Sequence, residues 1–220
     1  MLSLASAIFF NNMTPTLSYT FMHGFGCDAS FWTHLTSSFS FPYTIWDRGY
    51  YGSVCTECIE STVRIGVGHS LGLIHLLESD IHFDIYIGLQ AFVDFIGTYK
   101  ERKTQLDIMK RQLHRDTMQT LYAFCTRSSL PPPQEVVNIT QLYSDYEKLY
   151  LTYYELIQDK QIYIYSTDDD DVVPYYLIQE NFPSIPIYKA PHAKHALGYL
   201  QSEYTVKLLE SFGHTLSRTL

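Results

Sequence analysis

A serine, an aspartate and a histidine can together catalyse acyl transfer, and this chain carries candidates for all three in that order. Ser70 lies in the segment GHSLG, directly after a short apolar run at Arg64–Val67. Asp170 lies in an acidic run at 168–171, and His192 follows a later β-rich run. Serine supplies a nucleophile, histidine removes its proton, and the carboxylate orients the histidine. These residue types indicate cleavage of an acyl bond through a covalent intermediate.

The GHSLG segment is typical of a sharp turn between a strand and a helix. Glycine at positions 68 and 72 allows the strand and helix backbones to approach closely. The turn would expose the Ser70 hydroxyl at a helix N-terminus, where the Leu71 amide and the helix dipole can stabilise an oxyanion. A second donor is expected upstream, where Leu17–Met22 ends in HGFG and the Phe25 amide would face the substrate oxygen. We expect His23 to brace that loop through hydrogen bonds.

The acid and the base each have neighbours that could take their place. In DDDDVVP, the acid of a D-x-x-V-P pattern lies four residues before the proline, which selects Asp170, with its two flanking aspartates as alternatives. His192 follows the strand predicted at Ile185–Lys189 within a short loop, whereas His195 is expected to begin the last helix. The predicted catalytic set is therefore Ser70, Asp170 and His192.

The elements that must position these residues alternate between strand and helix, which predicts a mainly parallel sheet with helices on both faces. Residues 94–159 show only helical patterns, so we predict an α/β core at 1–93 and 160–220 and a helical lid at 94–159, inserted before the strand that carries the acid. We also expect a short helix at Cys55–Thr62 and a last helix at about Ala196–Phe212. Residues 1–12 could form a small extra strand or a disordered leader. The predicted strands are Leu17–Met22, Tyr43–Trp46, Arg64–Val67, Asp84–Leu89, Gln161–Tyr165 and Ile185–Lys189.

Composition limits the possible classes of protein. A chain of 220 residues fits one domain with a sizeable core, and its net charge of −8 argues against general nucleic-acid binding. No stretch reaches transmembrane length. Four cysteines are too few for a dense disulfide framework, which favours reduced thiols and a cytoplasmic setting. The Cys55–Cys58 pair has the spacing of zinc ligands but lacks a second pair nearby. Because neither metal-ligand spacing nor a glycine-rich phosphate loop is found, we expect no cofactor and no metal.

The motifs from Leu17 onward resemble those of α/β-hydrolases, and most closely the pimeloyl-[acyl-carrier protein] methyl ester esterases of biotin synthesis. The stretch MHGFGCDASFW at 22–32 is similar to that family's HGWG loop and following helix. Residues 105–124 resemble its lid helix, and KAPHA at 189–193 resembles its histidine loop. The resemblance implies the α/β-hydrolase fold, a serine esterase that removes a methyl ester from a carrier-bound pimeloyl chain, and an acyl-carrier protein as partner.

The charge distribution points independently to an acidic partner. The segment 98–127 carries a net charge of +4, which leaves −12 for the rest of the chain. A basic lid on an acidic body suits docking of an acidic carrier protein or of the phosphate on its pantetheine arm. An ordinary solvated helix face would have the same composition. The candidate docking residues are Lys103, Lys110, Arg111 and Arg115.

Two other functions remain open at this stage. One is a general short-chain carboxylesterase or lipase-like enzyme that uses the same residues on free esters. The other is a non-catalytic binding protein built on the hydrolase scaffold. Activity on carrier-bound and free esters separates the first from the predicted esterase, and labelling of Ser70 by a phosphonate ester tests the second.

Overall fold

A computed structural model describes residues 16–218, which fold around a six-stranded sheet. The order across the sheet is β2-β1-β3-β4-β5-β6, and every neighbouring pair is parallel. All six strands expected from the sequence are confirmed, with some ends moved by one or two residues. The alternatives considered for residues 1–12 lie outside the described residues. The strands are β1 (Leu17–Met22), β2 (Tyr43–Trp46), β3 (Val63–His69), β4 (Ile85–Leu89), β5 (Ile162–Ser166) and β6 (Ile187–Lys189).

The middle of the sheet is formed by β1, β3 and β4, which are buried on both faces. Double burial favours the mainly apolar sequences of these strands, and Ser18 and Thr20 of β1 are polar residues that are also buried. Val67 of β3 pairs with Phe21 of β1 and Ile87 of β4, and all three are almost completely inaccessible. Because the strands are parallel, their C-terminal ends meet at one edge of the sheet. The HGFG loop, Ser70 and Gln90 all follow strands at this edge.

Helices cover both faces, as predicted. On one face pack a 3₁₀ turn at Ala29–Trp32 and the helices α1 (Thr33–Thr36), α7 (Leu197–Leu200) and α8 (Ser202–Ser217). On the other face lie α2 (Gly72–Leu77) and α6 (Tyr175–Asn181). Within residues 16–218, no helix has both the length and the apolar character needed to cross a membrane.

Residues 94–159, here called the helical insertion, join β4 to β5 and contribute to the same core as α2. The insertion contains α3 (Lys100–Arg115), α4 (Thr117–Ser128) and α5 (Ile139–Glu147), followed by two short 3₁₀ turns. Side-chain caps begin two of these helices: the Asp116 carboxylate accepts from the Gln119 backbone amide at 2.9 Å, and the Asn138 side chain accepts from the Gln141 backbone amide at 3.1 Å.

Two predicted helices differ in the structure. Residues 55–62 are not helical, because their backbone groups pair with the end of β2 instead: the amides of Asp47 and Cys55 each donate to the carbonyl of the other at 2.9 and 3.1 Å. The Trp46 indole N–H also donates to the Glu57 carbonyl at 2.8 Å. The single last helix is divided into α7 and α8, with a break at Gln201.

Candidate active site

Ser70 occupies a tight turn between β3 and α2. Its φ of 55° lies in the left-handed region, which is unfavourable for a serine and is maintained by the surrounding backbone. A Cβ at Gly68 would lie 2.4 Å from the Leu73 nitrogen, and one at Gly72 would lie 2.3 Å from the Met22 carbonyl oxygen. Only glycine fits at these two positions. The strand–turn–helix geometry expected for this segment is therefore present.

Three side chains from separate loops form one hydrogen-bonded series. The His195 Nδ1 lies 2.7 Å from Asp170 Oδ2, and its Nε2 lies 2.9 Å from Ser70 Oγ. All three residues are buried. A neutral imidazole that donates from Nδ1 to the carboxylate presents the lone pair of Nε2 to the serine hydroxyl. This arrangement allows the imidazole to take a proton from Ser70.

The loop after β5 brings Asp170, and neither of its neighbours, to this series. Its second oxygen, Oδ1, accepts the amides of Val172 and Val173 at 2.8 and 2.9 Å. These bonds orient the carboxylate and leave Oδ2 for His195. Asp169 instead accepts backbone amides of the histidine loop, and Asp171 is exposed.

The prediction that His192 stands beside Ser70 is corrected to His195. The His192 side chain is 76% exposed, and its Nδ1 lies 3.1 Å from Asp168. The loop reverses after His192, with Lys194 at φ 49°, and α7 begins only at Leu197. His195 is therefore a loop residue that points inward, and not the start of a helix. Sequence spacing alone offered no signal for this reversal.

His69 forms a hydrogen bond to the same loop. Its Nε2–H donates to the His195 carbonyl at 3.1 Å, and its ring stacks on Phe31 with centroids 4.4 Å apart. Burial, together with the neighbouring imidazole of His195, holds the pKa of His69 well below the ordinary value. His69 is therefore neutral and acts as a hydrogen-bonded spacer.

The HGFG loop lies against the nucleophile. A Cβ at Gly24 would come within 2.9 Å of the Ser70 Cβ. His23 braces the loop as expected, since its Nδ1–H donates to the Gly24 carbonyl at 2.9 Å and its Nε2 accepts the Arg48 amide at 3.1 Å. The Phe25 and Leu71 amides donate to no other described residue. Their role as oxyanion donors stays a prediction.

A cavity of about 430 Å³ opens between the helical insertion and the loop that carries Asp170. Neither Ser70 nor His195 lines it, but one of its walls, Phe124, packs on Phe25 with ring centroids 6.1 Å apart. Arg102 links the cavity to the acid loop, because its guanidinium donates to the Phe95 carbonyl at 2.7 Å and to the Val172 carbonyl at 2.9 Å. The walls include Phe95, Arg102, Leu106, Met109, Phe124 and Val172.

The four candidate docking residues all lie on α3, but two of them already have partners. Lys103 pairs with Asp107 at 3.2 Å, and Lys110 pairs with Glu147 of α5 at 2.6 Å. Arg111 and Arg115 are exposed and form no ion pair with another described residue. Over 94–159 as a whole, the sequence contains eight basic and nine acidic residues. The net positive charge is therefore confined to the first half of the insertion.

One cluster among residues 16–218 could offer ligands to a cation. Single ligand atoms of Asp168, Asp169 and His192 lie within 4.8 Å of one another, although exposed acidic groups commonly hold no ion. The four cysteines are free thiols. Burial raises the pKa of Cys27 well above the ordinary thiol value, and it raises that of Cys125 to about 12. These two thiols are therefore poor nucleophiles.

The chain was compared with known families, proteins and structures. No family model matches it, and no curated protein matches its sequence. A thermophilic esterase from Thermogutta terrifontis is similar in structure, with a TM-score of 0.68 and 13% identity over 93% of this chain and 92% of that one. A hydrolase from Oleispira antarctica has a TM-score of 0.67 and 13% identity over 90% of each chain. An epoxide hydrolase from Bacillus megaterium has a TM-score of 0.63 and 15% identity over 90% of this chain and 93% of that one. The chain has the α/β-hydrolase fold.

Proposed function

We propose that this chain is a serine carboxylic-ester hydrolase in which Ser70 is the nucleophile, His195 the base and Asp170 the orienting acid. The observation that carries the proposal is the buried series from Asp170 through His195 to Ser70, with contacts of 2.7 and 2.9 Å. Structural neighbours named as esterases and hydrolases are consistent with it. The epoxide hydrolase among them is a reminder that the fold alone does not select the reaction.

The geometry supports a two-step mechanism. As Ser70 Oγ attacks the ester carbonyl, its proton moves to His195 Nε2, and Asp170 stabilises the resulting imidazolium. The Phe25 and Leu71 amides donate to the oxyanion of the tetrahedral intermediate. When the C–O bond breaks, His195 returns the proton to the leaving alcohol. A water molecule then hydrolyses the acyl-enzyme by the same sequence of proton transfers and restores Ser70.

Alanine substitutions at Ser70 and at the two candidate histidines test the proposal directly. Ser70→Ala and His195→Ala should each lower kcat on a short-chain p-nitrophenyl ester by at least about a thousandfold. His192→Ala is the matched control, since it removes an exposed histidine from the same loop and should leave kcat nearly unchanged. Near-normal turnover by His195→Ala, or a large loss in His192→Ala, would refute the assignment.

For the physiological substrate, we propose the methyl ester of a pimeloyl chain on an acyl-carrier protein, with hydrolysis releasing methanol in biotin synthesis. The sequence resemblance is the main support. The exposed Arg111 and Arg115 form no ion pair within residues 16–218 and offer a site for an acidic carrier, with the insertion acting as a lid over the substrate. Four free thiols are consistent with a reducing, cytoplasmic location.

Carrier docking can be separated from ester chemistry. The triple reversal Lys110→Glu, Arg111→Glu and Arg115→Glu should weaken cleavage of the carrier-bound methyl ester, read as a gel shift, and spare a free methyl ester. Lys207→Glu on α8 is a control that reverses an exposed charge elsewhere. Equal loss on both substrates would count against docking.

The second candidate is a carboxylesterase that acts on free esters. It is favoured by the ion pairs that already occupy Lys103 and Lys110, which reduce the positive charge available to a carrier. Cleavage of small esters without cleavage of the carrier-bound ester would select this function. A non-catalytic binding protein is the remaining alternative, and failure of a phosphonate ester to label Ser70 would favour it.

A further inference from the structure

We infer that Gln90 is a positioning residue for His195, an inference that rests on the proposed hydrolase function. Gln90 directly follows β4 and is completely buried. Its φ of 51° places it in the left-handed region, where a glutamine pays a conformational penalty. We attribute this backbone conformation to the contacts that the buried side-chain amide makes.

The Gln90 side chain holds the histidine loop on both sides of His195. Its Nε2 donates to the carbonyl of Lys194, the residue before His195, and lies 3.2 Å from the Thr167 hydroxyl. Its Oε1 accepts the amide of Leu197, two residues after His195, at 2.8 Å. One planar amide therefore bonds the residues before and after the His195–Ala196 dipeptide that presents the imidazole.

The Gln90 backbone connects this clamp to the sheet. Its amide donates to the Tyr165 carbonyl of β5 at 2.8 Å, so the side chain extends from a fixed point between two buried strands. Asp169 and Thr167, from the loop after β5, also bond the histidine loop, at 3.2 to 3.3 Å. Gln90 differs from them because it alone of these three bonds the chain after His195 as well as before it.

The position of His195 needs such support because β6 is short and the loop after it reverses direction. The β6 strand has three residues, and the left-handed Lys194 lies directly before the histidine. A displacement of about 1 Å at a reacting group can lower a rate by roughly a hundredfold. Loss of the clamp should therefore reduce proton transfer from Ser70 without changing the groups that bind substrate.

Asn181 provides a matched control for a substitution at Gln90. It is also a completely buried amide, and its Oδ1 accepts the Val93 and Asp94 amides at 2.7 Å each. Its Nδ2 donates to the Asp94 carbonyl at 3.1 Å. Asn181 thus clamps a different backbone segment, at the start of the helical insertion. Replacement of either residue removes a comparable set of buried hydrogen bonds.

The experiment compares Gln90→Met with Asn181→Leu and His195→Ala on a short-chain p-nitrophenyl ester. Gln90→Met should lower kcat by about ten- to a hundredfold with KM within about twofold, whereas Asn181→Leu should lower stability and leave kcat nearly unchanged. The low-field proton resonance of the His195 Nδ1–H should weaken in Gln90→Met and persist in Asn181→Leu. If Gln90→Met does not fold, Gln90→Glu retains the acceptor for Leu197 but loses the donor to Lys194.

Three results would overturn the inference: a folded Gln90 variant with kcat within about threefold of wild type, equal losses of kcat in Gln90→Met and Asn181→Leu, or an unchanged Nδ1–H resonance in the Gln90 variant. Failure of the proposed function is recognised separately. In that case, His195→Ala itself would retain near-normal turnover.

Discussion

Replacement of Asp145 by leucine should lower the free energy of unfolding by about 3 to 4 kcal/mol. Asp145 lies on α5 with its side chain fully buried, and its carboxylate joins the insertion to the loop after β2. Arg48 donates to it through Nε at 2.6 Å and Nη2 at 2.7 Å. The Tyr50 hydroxyl donates at 2.7 Å, and the side-chain Nε2 of Gln141 donates at 3.1 Å. Burial alone would raise the pKa of Asp145, but the Arg48 guanidinium holds it below the ordinary value.

The magnitude follows from what the substitution leaves behind. Removal of one partner from a buried ion pair typically costs about 3 to 5 kcal/mol. The Arg48 side chain is 23% exposed and can be partly hydrated after the substitution. The cost of leaving Arg48 without its partner should therefore lie below that range. The Tyr50 hydroxyl is fully buried and loses its acceptor, which adds about 1 kcal/mol or more.

Urea unfolding followed by tryptophan fluorescence measures this loss, since both Trp32 and Trp46 are buried. Asp107→Leu is the control, because it removes a carboxylate that is 40% exposed from the same insertion and should cost less than about 1 kcal/mol. Addition of Arg48→Met to Asp145→Leu should recover stability by removing the unpaired cation. A loss below about 1 kcal/mol in Asp145→Leu, at an unchanged denaturant slope, would refute the reasoning.

Two further predictions concern acid sensitivity and the tight turn. Burial lowers the pKa of His75 from 6.5 to about 3, so the stability that neutral His75 contributes is complete above pH 6.5 and is lost as the pH falls toward 3. Between pH 6.5 and about 5, the free energy of unfolding of His75→Gln should fall by about 2 kcal/mol less than that of wild type in urea titrations. Parallel losses in the two proteins would contradict this. Gly72→Ala should prevent expression of folded protein, because its Cβ would collide with the Met22 carbonyl at 2.3 Å, whereas Gly52→Ala meets nothing within 4 Å and should retain the wild-type melting temperature. Equal melting temperatures for the two glycine variants would show that the turn relaxes easily.

Local patterns in the sequence were sufficient for the strands and the turn. Parallel strands buried on both faces must be short apolar runs, and a strand–helix turn this tight requires glycine at 68 and 72. The position of Asp170 also followed from a local spacing. The bracing role of His23 likewise includes a hydrogen bond to the adjacent Gly24.

Tertiary structure decided which histidine meets Ser70. His192 and His195 lie in one short loop, and their order after β6 is compatible with either choice. The choice depends on Gln90 and Asp169, whose bonds to this loop span 104 and 25 residues of sequence. The Arg48–Asp145 pair similarly joins residues 97 apart. Sequence periodicity describes which side of an element is apolar, but the direction of a loop side chain is set by contacts between distant segments, and those exist only once the chain has folded.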